Sequence, residues 1–416
     1  MSSITIPMIT QAHRLQKDST LNFRTKLQKS IRLSEKYHCN IHLKREDQQQ
    51  IRVFKMRGAF NSFMSLTQEQ KTKGLVTVSD GNFAEAFAFF CNHFKIKGTV
   101  FLPEVCFQWK IEIIQKYGKD YVEIRSVGES FDEAEAAAQE YIKQHDRIMI
   151  HPCDNVKAII GNATIGIEII EDFPGEVDYV FVPVGAGALA AGIATYFKAM
   201  SPNTKIIGVQ PDGAASMKAS FDAKKVVRIE SMSRFCDGSA VKTVPQITFD
   251  ICQHNLDDLV VVPEGRVSST ILELYNQGIA VEPAGALAVS VLDQYASKIK
   301  DKNVVCLISG GTVDLSRFDE FKEHSLLFEG LKYFFLIQIP FRPGILKSFV
   351  SLCLGPDDEI SHIQFQKKTN RERGPCLVAI EVAKKENIKK VMENMTKMHL
   401  QYEVVNDSKE LFDLLV

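Results

Sequence analysis

The sequence predicts an α/β protein built on parallel sheets and followed by a small α+β domain, and three observations carry that expectation. Short β-rich apolar runs alternate with helical patterns of about ten to twenty residues, the spacing that places helices on both faces of a parallel sheet. After Ser309–Asp314 the texture changes to a closer succession of strand and helix patterns. At 416 residues, 45% of them hydrophobic, the chain exceeds what one core usually serves and can fill two or three.

The expected strands of the first part are Asn40–Leu43, Gly74–Ser79, Gly98–Leu102, Arg147–His151, Tyr179–Val184, Lys205–Val209, Leu259–Val262 and Val304–Ile308. The second part begins with a charged helix at Ser316–His324 and the strand YFFLIQIP. A Pro-Gly turn, a helix at Ile345–Cys353, strands at Ile360–Gln366 and Cys376–Val382, a helix at Ile388–Met398 and a strand at Tyr402–Val405 follow. The order β-α-β-β-α-β over about 85 residues is that of a ferredoxin-like module.

Composition narrows the function classes. With 50 Lys+Arg against 51 Asp+Glu there is no basic field for nucleic acid or an anionic membrane surface. Nine scattered cysteines without a close Cys-x-x-Cys pair suit a reducing compartment, and nothing in their pattern suggests a metal. The opening MSSITIPMITQAHRLQ lacks the apolar core of a secretory signal, and the apolar stretch Tyr179–Phe197 is broken by Pro183 and glycines, as in a strand followed by a helix. A cytoplasmic location is the expectation.

Five segments can carry chemistry. In HLKREDQQQIRVFKMRGAF (His42–Phe60) a strand passes through a charged loop into a helix beginning near Lys55. Between Phe54 and Met56 that amine can sit partly out of water, where its neutral, nucleophilic form is favoured; most lysines at helix starts are simply solvated. VTVSDGNFAEAFAFF (Val76–Phe90) is a strand, a Ser-Asp-Gly-Asn turn and a helix; Ser79 and Asn82 can bind an anion or merely cap the helix. VFVPVGAGALAAG (Val180–Gly192) ends a buried strand in a small-residue turn at a helix N-terminus, a favourable place for phosphate. Gly185 to Ala190 also satisfy the dinucleotide pattern G-x-G-x-x-G/A with Asp212 about 20 residues on, so a nicotinamide-dependent dehydrogenase and plain close packing both stay open at this point. LISGGTVDL (Leu307–Leu315) closes a buried strand with Ser309 and a Gly-Gly turn, while in VEPAGALAV (Val281–Val289) Glu282 is open to a helix-capping reading.

Taken in order, these segments resemble the threonine dehydratase family of fold-type II pyridoxal-phosphate enzymes. The resemblance rests on KRED (Lys44–Asp47) followed by Phe54-Lys55-x-Arg57-Gly58-Ala59, the Ser79-x-Gly81-Asn82 loop, the glycine loop, EPAGA (Glu282–Ala286) and the terminal Ser309-Gly310-Gly311. It extends into the second part through RPGIL (Arg342–Leu346) and LGPDDEI (Leu354–Ile360), which resemble the single ACT-like regulatory domain of the family's shorter members. The resemblance implies a tryptophan synthase β-like catalytic region over residues 1–325, with a small subdomain inserted at about 53–145, and an ACT-like domain over 326–416.

It also implies roles. Lys55 would hold pyridoxal 5'-phosphate covalently and move the substrate's α-proton, Phe54 would lie against the ring, Asn82 would meet the phenolic oxygen, and Ser309 the ring nitrogen. Gly185, Ala186, Gly187, Ala188 and Leu189 would wrap the phosphate; Ser79, Asp80, Gly81, Asn82 and Phe83 would bind the substrate. The implied reaction is β-elimination from threonine or serine to a 2-oxo acid and ammonia, as in isoleucine biosynthesis. A homodimer or homotetramer and a branched-chain amino-acid effector are implied with it.

The ligand loops depart from the family pattern. The usual Ser-Ala-Gly-Asn-His-Ala-Gln-Gly reads Ser79-Asp80-Gly81-Asn82-Phe83-Ala84-Glu85-Ala86. An ionised Asp80 facing the substrate carboxylate would repel it by roughly a few kcal/mol at an effective dielectric near 20. Two of four expected glycines in the phosphate loop are Ala186 and Ala188, which restrict positive φ. Further changes at Gly161–Thr164, Phe107–Lys110 and Thr312 keep three alternatives in view: β-replacement, elimination from a different amino acid, and a relative that has lost its chemistry.

Overall fold

The computed structural model describes residues 4–79, 81–365 and 372–415, and the chain divides into two compact units, Met1–Asp314 and Leu315–Val416. Along the first unit run β1 (Leu27–Lys29), β2 (Asn40–Arg45), β3 (Leu75–Val78), β4 (Gly98–Leu102), β5 (Val122–Ser126), β6 (Ile148–Met149), β7 (Tyr179–Pro183), β8 (Lys205–Pro211), β9 (Asp258–Val262) and β10 (Asn303–Ile308). They form a six-stranded sheet in the order β1-β2-β10-β7-β8-β9 and a four-stranded sheet in the order β5-β4-β3-β6. Pairing is parallel except between β1 and β2. This is the α/β architecture expected from the sequence, with the smaller sheet inserted between β2 and β7.

Each apolar run singled out above contains a strand. Two strands were not foreseen: β1 is three residues long, and β5 (Val-Glu-Ile-Arg-Ser) buries only Val122, so neither has an apolar run to announce it. The strands β3, β4 and β10 are apolar almost throughout because helices cover both faces of a parallel sheet. The smaller subdomain is filled largely by phenylalanines, among them Phe60, Phe63, Phe83, Phe87 and Phe90. Phe54, half-buried, packs against this core and against that of the larger sheet, so the residue preceding Lys55 joins the two.

Beneath the lysine helix (Lys55–Met64) lies a buried ionic network. Arg57, fully buried, donates from Nη1 to Glu168 Oε1 at 2.6 Å and from Nη2 and Nε to the two Glu46 oxygens at 2.8 Å each. Lys44 Nζ donates to Glu168 at 2.6 Å and to the Thr25 carbonyl at 2.8 Å. Two cations thus meet two carboxylates, and Thr25, Gln49 and the Phe23 carbonyl satisfy remaining hydrogen-bond positions. Burial alone would raise the Glu168 carboxyl, but Arg57 and Lys44 hold it down at about 2.

The second unit carries β11 (Lys332–Pro340), β12 (Glu359–Phe365), β13 (Arg373–Glu381) and β14 (Gln401–Val404) in one antiparallel sheet ordered β12-β13-β11-β14. Helices at Ile345–Cys353 and Asn387–Lys397 complete the β-α-β-β-α-β order, and both pack into its core through Phe349, Val391 and Met395. The strand expected to end at Gln366 ends at Phe365, Gln366 itself lying outside the described residues. The unit begins at Leu315, so residue 325 falls inside its first long helix, Phe318–Glu329. Among the described residues no helix is long and apolar enough to cross a membrane.

Arg57→Met should cost about 3–5 kcal/mol, because it leaves buried carboxylates uncompensated; urea unfolding monitored by circular dichroism will read this as a lowered midpoint. Glu168 titrates lower when folded, at about 2, than its ordinary value of 4.5. Its contribution is therefore complete above about pH 4.5 and is lost as pH falls toward 2, which a series of urea midpoints against pH will show.

Candidate active site

Lys55 and Ser309 are placed by one piece of backbone pairing. The Phe54 N–H donates to the Ser309 carbonyl at 3.0 Å, the Gly311 N–H donates to the Arg52 carbonyl at 2.9 Å, and Val53 bridges to Gly310. The lysine helix starts immediately afterwards without a side-chain cap. Lys55 is half-buried and its Nζ donates to the Gly238 carbonyl at 3.3 Å. Ser309, at the end of β10, is buried and its hydroxyl donates to the Ala284 carbonyl at 3.3 Å.

Beside this pair stands the asparagine helix (Asn82–Phe94), which follows β3. Asn82 Nδ2 donates to both oxygens of Glu282, at 2.8 and 2.9 Å. Glu282 precedes the helix Pro283–Ser290, yet its side chain makes no cap, so the capping reading of this glutamate is replaced by a contact across the site. The turn Cys236–Ser239 closes the arrangement: Asp237 pairs with Lys110 at 2.5 Å, and Gly238 receives Lys55.

These groups form a charged cluster in which Glu85, Glu282 and Lys110 are buried and Lys55 and Asp237 partly so. Burial, then the Asp237 charge, pushes the Glu282 carboxyl up to about 7, against the pull of the Asn82 amide and of Lys55 and Lys110. Burial and the Glu282 charge push Glu85, one helical turn after Asn82, up to about 8, opposed by Lys110 and Lys55.

The turn Gly185–Leu189 links β7 to the helix Ala188–Met200. Two of its carbonyls are taken: Ala186 accepts from the Thr248 hydroxyl at 2.6 Å and Gly187 from the Ala191 N–H at 2.8 Å. Among the described residues no acceptor faces its N–H groups, which crowd the positive end of a thirteen-residue helix. Positive φ occurs only at Gly187 (91°), the N-cap, so Ala186 and Ala188 occupy ordinary backbone and the expected conformational conflict does not arise. A Cβ on Gly185 would stand 2.8 Å from the Cα and carbonyl oxygen of Ser239, so this turn touches the one that receives Lys55. An amide-lined cradle, a half-buried lysine and a neutral serine fit pyridoxal phosphate.

The remaining expected residues divide. Ser79 is buried at the end of β3 and its hydroxyl accepts from the Gly81 N–H at 3.3 Å. Gly81 is the N-cap of the asparagine helix, and a Cβ there would lie 4.0 Å from Lys110 Nζ. Asp80 lies outside the described residues. The Phe83 ring is in the phenylalanine core of the smaller subdomain. Asp212, the acidic partner of the dinucleotide reading, accepts from the Glu264 N–H at 3.1 Å and so satisfies the first N–H of the distant helix Glu264–Tyr275. Sequence reasoning missed Asp237 and the turn around it; its Asp-Gly-Ser run signals a turn and nothing about what the turn faces.

A family model for pyridoxal-phosphate dependent enzymes matches residues 19–310, and one for the C-terminal regulatory domain of threonine dehydratase matches residues 323–415. The chain is 42% identical over 417 residues to the L-threonine dehydratase biosynthetic IlvA of Halalkalibacterium halodurans, across 100% of both proteins. To the Bacillus subtilis protein of the same name it is 42% identical over 416 residues, covering 100% of this chain and 98% of that one. The processed form of threonine deaminase isoform 2 from Solanum lycopersicum superposes with a TM-score of 0.71 at 34% identity, over 78% of this chain and 95% of that one. With its lysine, serine and amide-lined turn brought to one place, the chain belongs to the pyridoxal-phosphate dependent enzymes, and it carries a C-terminal regulatory domain of the threonine dehydratase type.

Proposed function

We propose that this chain is a threonine ammonia-lyase, removing the β-hydroxyl of threonine, or of serine, and releasing a 2-oxo acid and ammonia. The observation that carries the reading is the backbone pairing of Arg52–Phe54 with Ser309–Gly311, which holds an amine and a neutral hydroxyl on either side of one site. Identity to proteins named L-threonine dehydratase along the whole chain supports the choice of substrate.

When bound, pyridoxal phosphate supplies an electron sink for negative charge at the substrate's α-carbon. Lys55 Nζ is the covalent anchor and the base that takes the α-proton. The N–H groups of Gly185, Ala186, Gly187, Ala188 and Leu189 would hold the phosphate, Phe54 would flank the ring, and Asn82 would meet its phenolic oxygen. Ser309 would meet the ring nitrogen as a neutral partner; unlike an Asp it would impose no positive charge there, which favours elimination over transamination. Ser79, Asp80, Gly81, Asn82 and Phe83 supply the carboxylate-binding loop, by N–H groups at the start of the asparagine helix. The α-proton leaves to Lys55, the β-hydroxyl leaves as water with a proton from an acid, and hydrolysis of the released enamine, through its imine tautomer, gives the 2-oxo acid and ammonia.

The second unit acts as the regulator, and a branched-chain amino acid is the effector we assign to it. Assembly into a homodimer or homotetramer, residence in the cytoplasm and a place in isoleucine synthesis belong to the same reading. A second reading, β-replacement or elimination from a different amino acid, is favoured by one observation: Glu85 brings a carboxyl into the helix that follows the carboxylate-binding loop.

Purified protein incubated with pyridoxal phosphate should acquire the visible band of the lysine-bound cofactor and convert threonine to 2-oxobutyrate. Lys55→Ala should lose the band and more than about a hundredfold of the rate. A wild-type protein without the band sinks the cofactor reading; turnover of another amino acid in preference to threonine selects the second reading. Gly185→Ala should weaken retention of the cofactor by about tenfold, ~1.4 kcal/mol, measured by equilibrium dialysis, since its methyl must displace the Ser239 backbone.

A further inference from the structure

Glu85 stands where the family pattern has an amide, and its surroundings give that exchange a consequence. It lies three residues after Asn82 on one helix, so the two side chains share a face with Cβ atoms about 5–6 Å apart. The Asn82 amide spends its N–H groups on both oxygens of Glu282. The two carboxyl groups therefore flank the same amide, one along the helix and one across the site. Glu85 is 2% exposed and Glu282 4%. The Glu85 N–H donates to the Gly81 carbonyl at 3.4 Å, and no hydrogen bond of its carboxyl group is found among the described residues.

The charged and titratable groups acting on this pair come from every side: Lys55 at the start of its helix, Lys110 and Tyr117 on the helix Gln108–Gly118, and Asp237 in the Cys236–Ser239 turn. Among the described residues, three carboxyl groups face two amine nitrogens, those of Lys55 and Lys110, each of which supplies at most one positive charge whether or not Lys55 carries the cofactor. Fully ionised, the cluster carries a net negative charge in a place with little water; one added proton balances it. Asp237 is paired to Lys110 at 2.5 Å, which leaves Glu85 and Glu282 to hold that proton.

We propose that Glu85 is a positioning residue that shares a proton with Glu282, and that this proton decides which end of the Asn82 amide Glu282 engages. A carboxylate at Glu282 accepts from Nδ2, the arrangement in the structure. A carboxylic acid there donates its O–H to Oδ1, the amide turns over, and Nδ2 is released toward the cofactor's phenolic oxygen. Only the proton and the amide move. With an amide at position 85 the cluster has no second carboxyl to retain the proton, so the turned form is lost at lower pH. The inference rests on the role given to Asn82 above.

The test is a pH titration of the holoenzyme from about pH 6 to about pH 9, read by the visible absorption of the cofactor and by kcat/KM, in wild type and Glu85→Gln. The wild type should titrate in two coupled steps, and E85Q should lose the upper one, lowering the midpoint by about one unit. An E85Q enzyme that binds the cofactor and titrates like the wild type overturns the proposal, since a merely structural role would leave the profile in place. If E85Q does not fold, infrared spectra of the wild type decide: a protonated-carboxyl C=O band should persist at about pH 7.5 and vanish by about pH 9, and its absence overturns the shared proton. A wild type that never acquires a visible band fails differently: it overturns the cofactor reading and with it the role of Asn82, while the infrared band still decides the proton.

Discussion

The catalytic unit is organised around one fully buried guanidinium. Arg57 sits two residues after the lysine, and its donors reach Glu46, Glu168 and the Phe23 carbonyl. These partners come from an N-terminal loop, the segment after β2 and the long helix Val156–Asp172, so one side chain sets where three distant stretches meet. A network of this kind adds little net stability over an apolar core, but it tolerates few arrangements, since any displaced member is left charged and dry. The lysine helix inherits that intolerance, and Lys55 with it.

The site grows out of the carboxyl ends of parallel strands. Lys55 follows β2 through a loop, Asn82 follows β3, the amide-lined turn follows β7, and Ser309 ends β10. Strands that all run one way deliver all their following loops to one edge, where ligands of open α/β sheets gather. Pairing of Arg52–Phe54 with Ser309–Gly311 then joins the beginning of the catalytic chain to its end. The amine and the hydroxyl are therefore held by backbone hydrogen bonds, which side-chain drift in the nearby loops does not disturb.

Two buried charge clusters lie in this unit and they balance differently. Around Arg57, two cations meet two carboxylates and no proton is needed. Around Asn82, three carboxyl groups meet two lysines among the described residues, and Glu85 and Glu282 are driven upward while Glu168 is driven down. Burial alone disfavours the charged form in both places; whether each carboxyl group has a cation paired to it decides which stay ionised. The first cluster suits a scaffold, the second a site whose protonation can change near neutral pH.

Periodicity and turn chemistry were enough to read the alternation of strands and helices, the change of texture near residue 314 and the β-α-β-β-α-β order, because these depend on local spacing of apolar residues. The order of the loops was enough to single out Lys55, Asn82, the Gly185–Leu189 turn and Ser309 as candidates, since Lys55 follows a legible strand through a loop and the others follow theirs directly. The folded chain alone decided that Glu282 turns to Asn82 instead of capping its helix, that Asp237 meets Lys110, that the Phe83 ring enters a core, and that Gly187 is the one residue of its turn needing positive φ. Those outcomes join residues as far apart as 200 positions. A sequence records the chemical character of each side chain, but its neighbour across the site exists only after the sheets have closed, and burial and proton affinity depend on that neighbour.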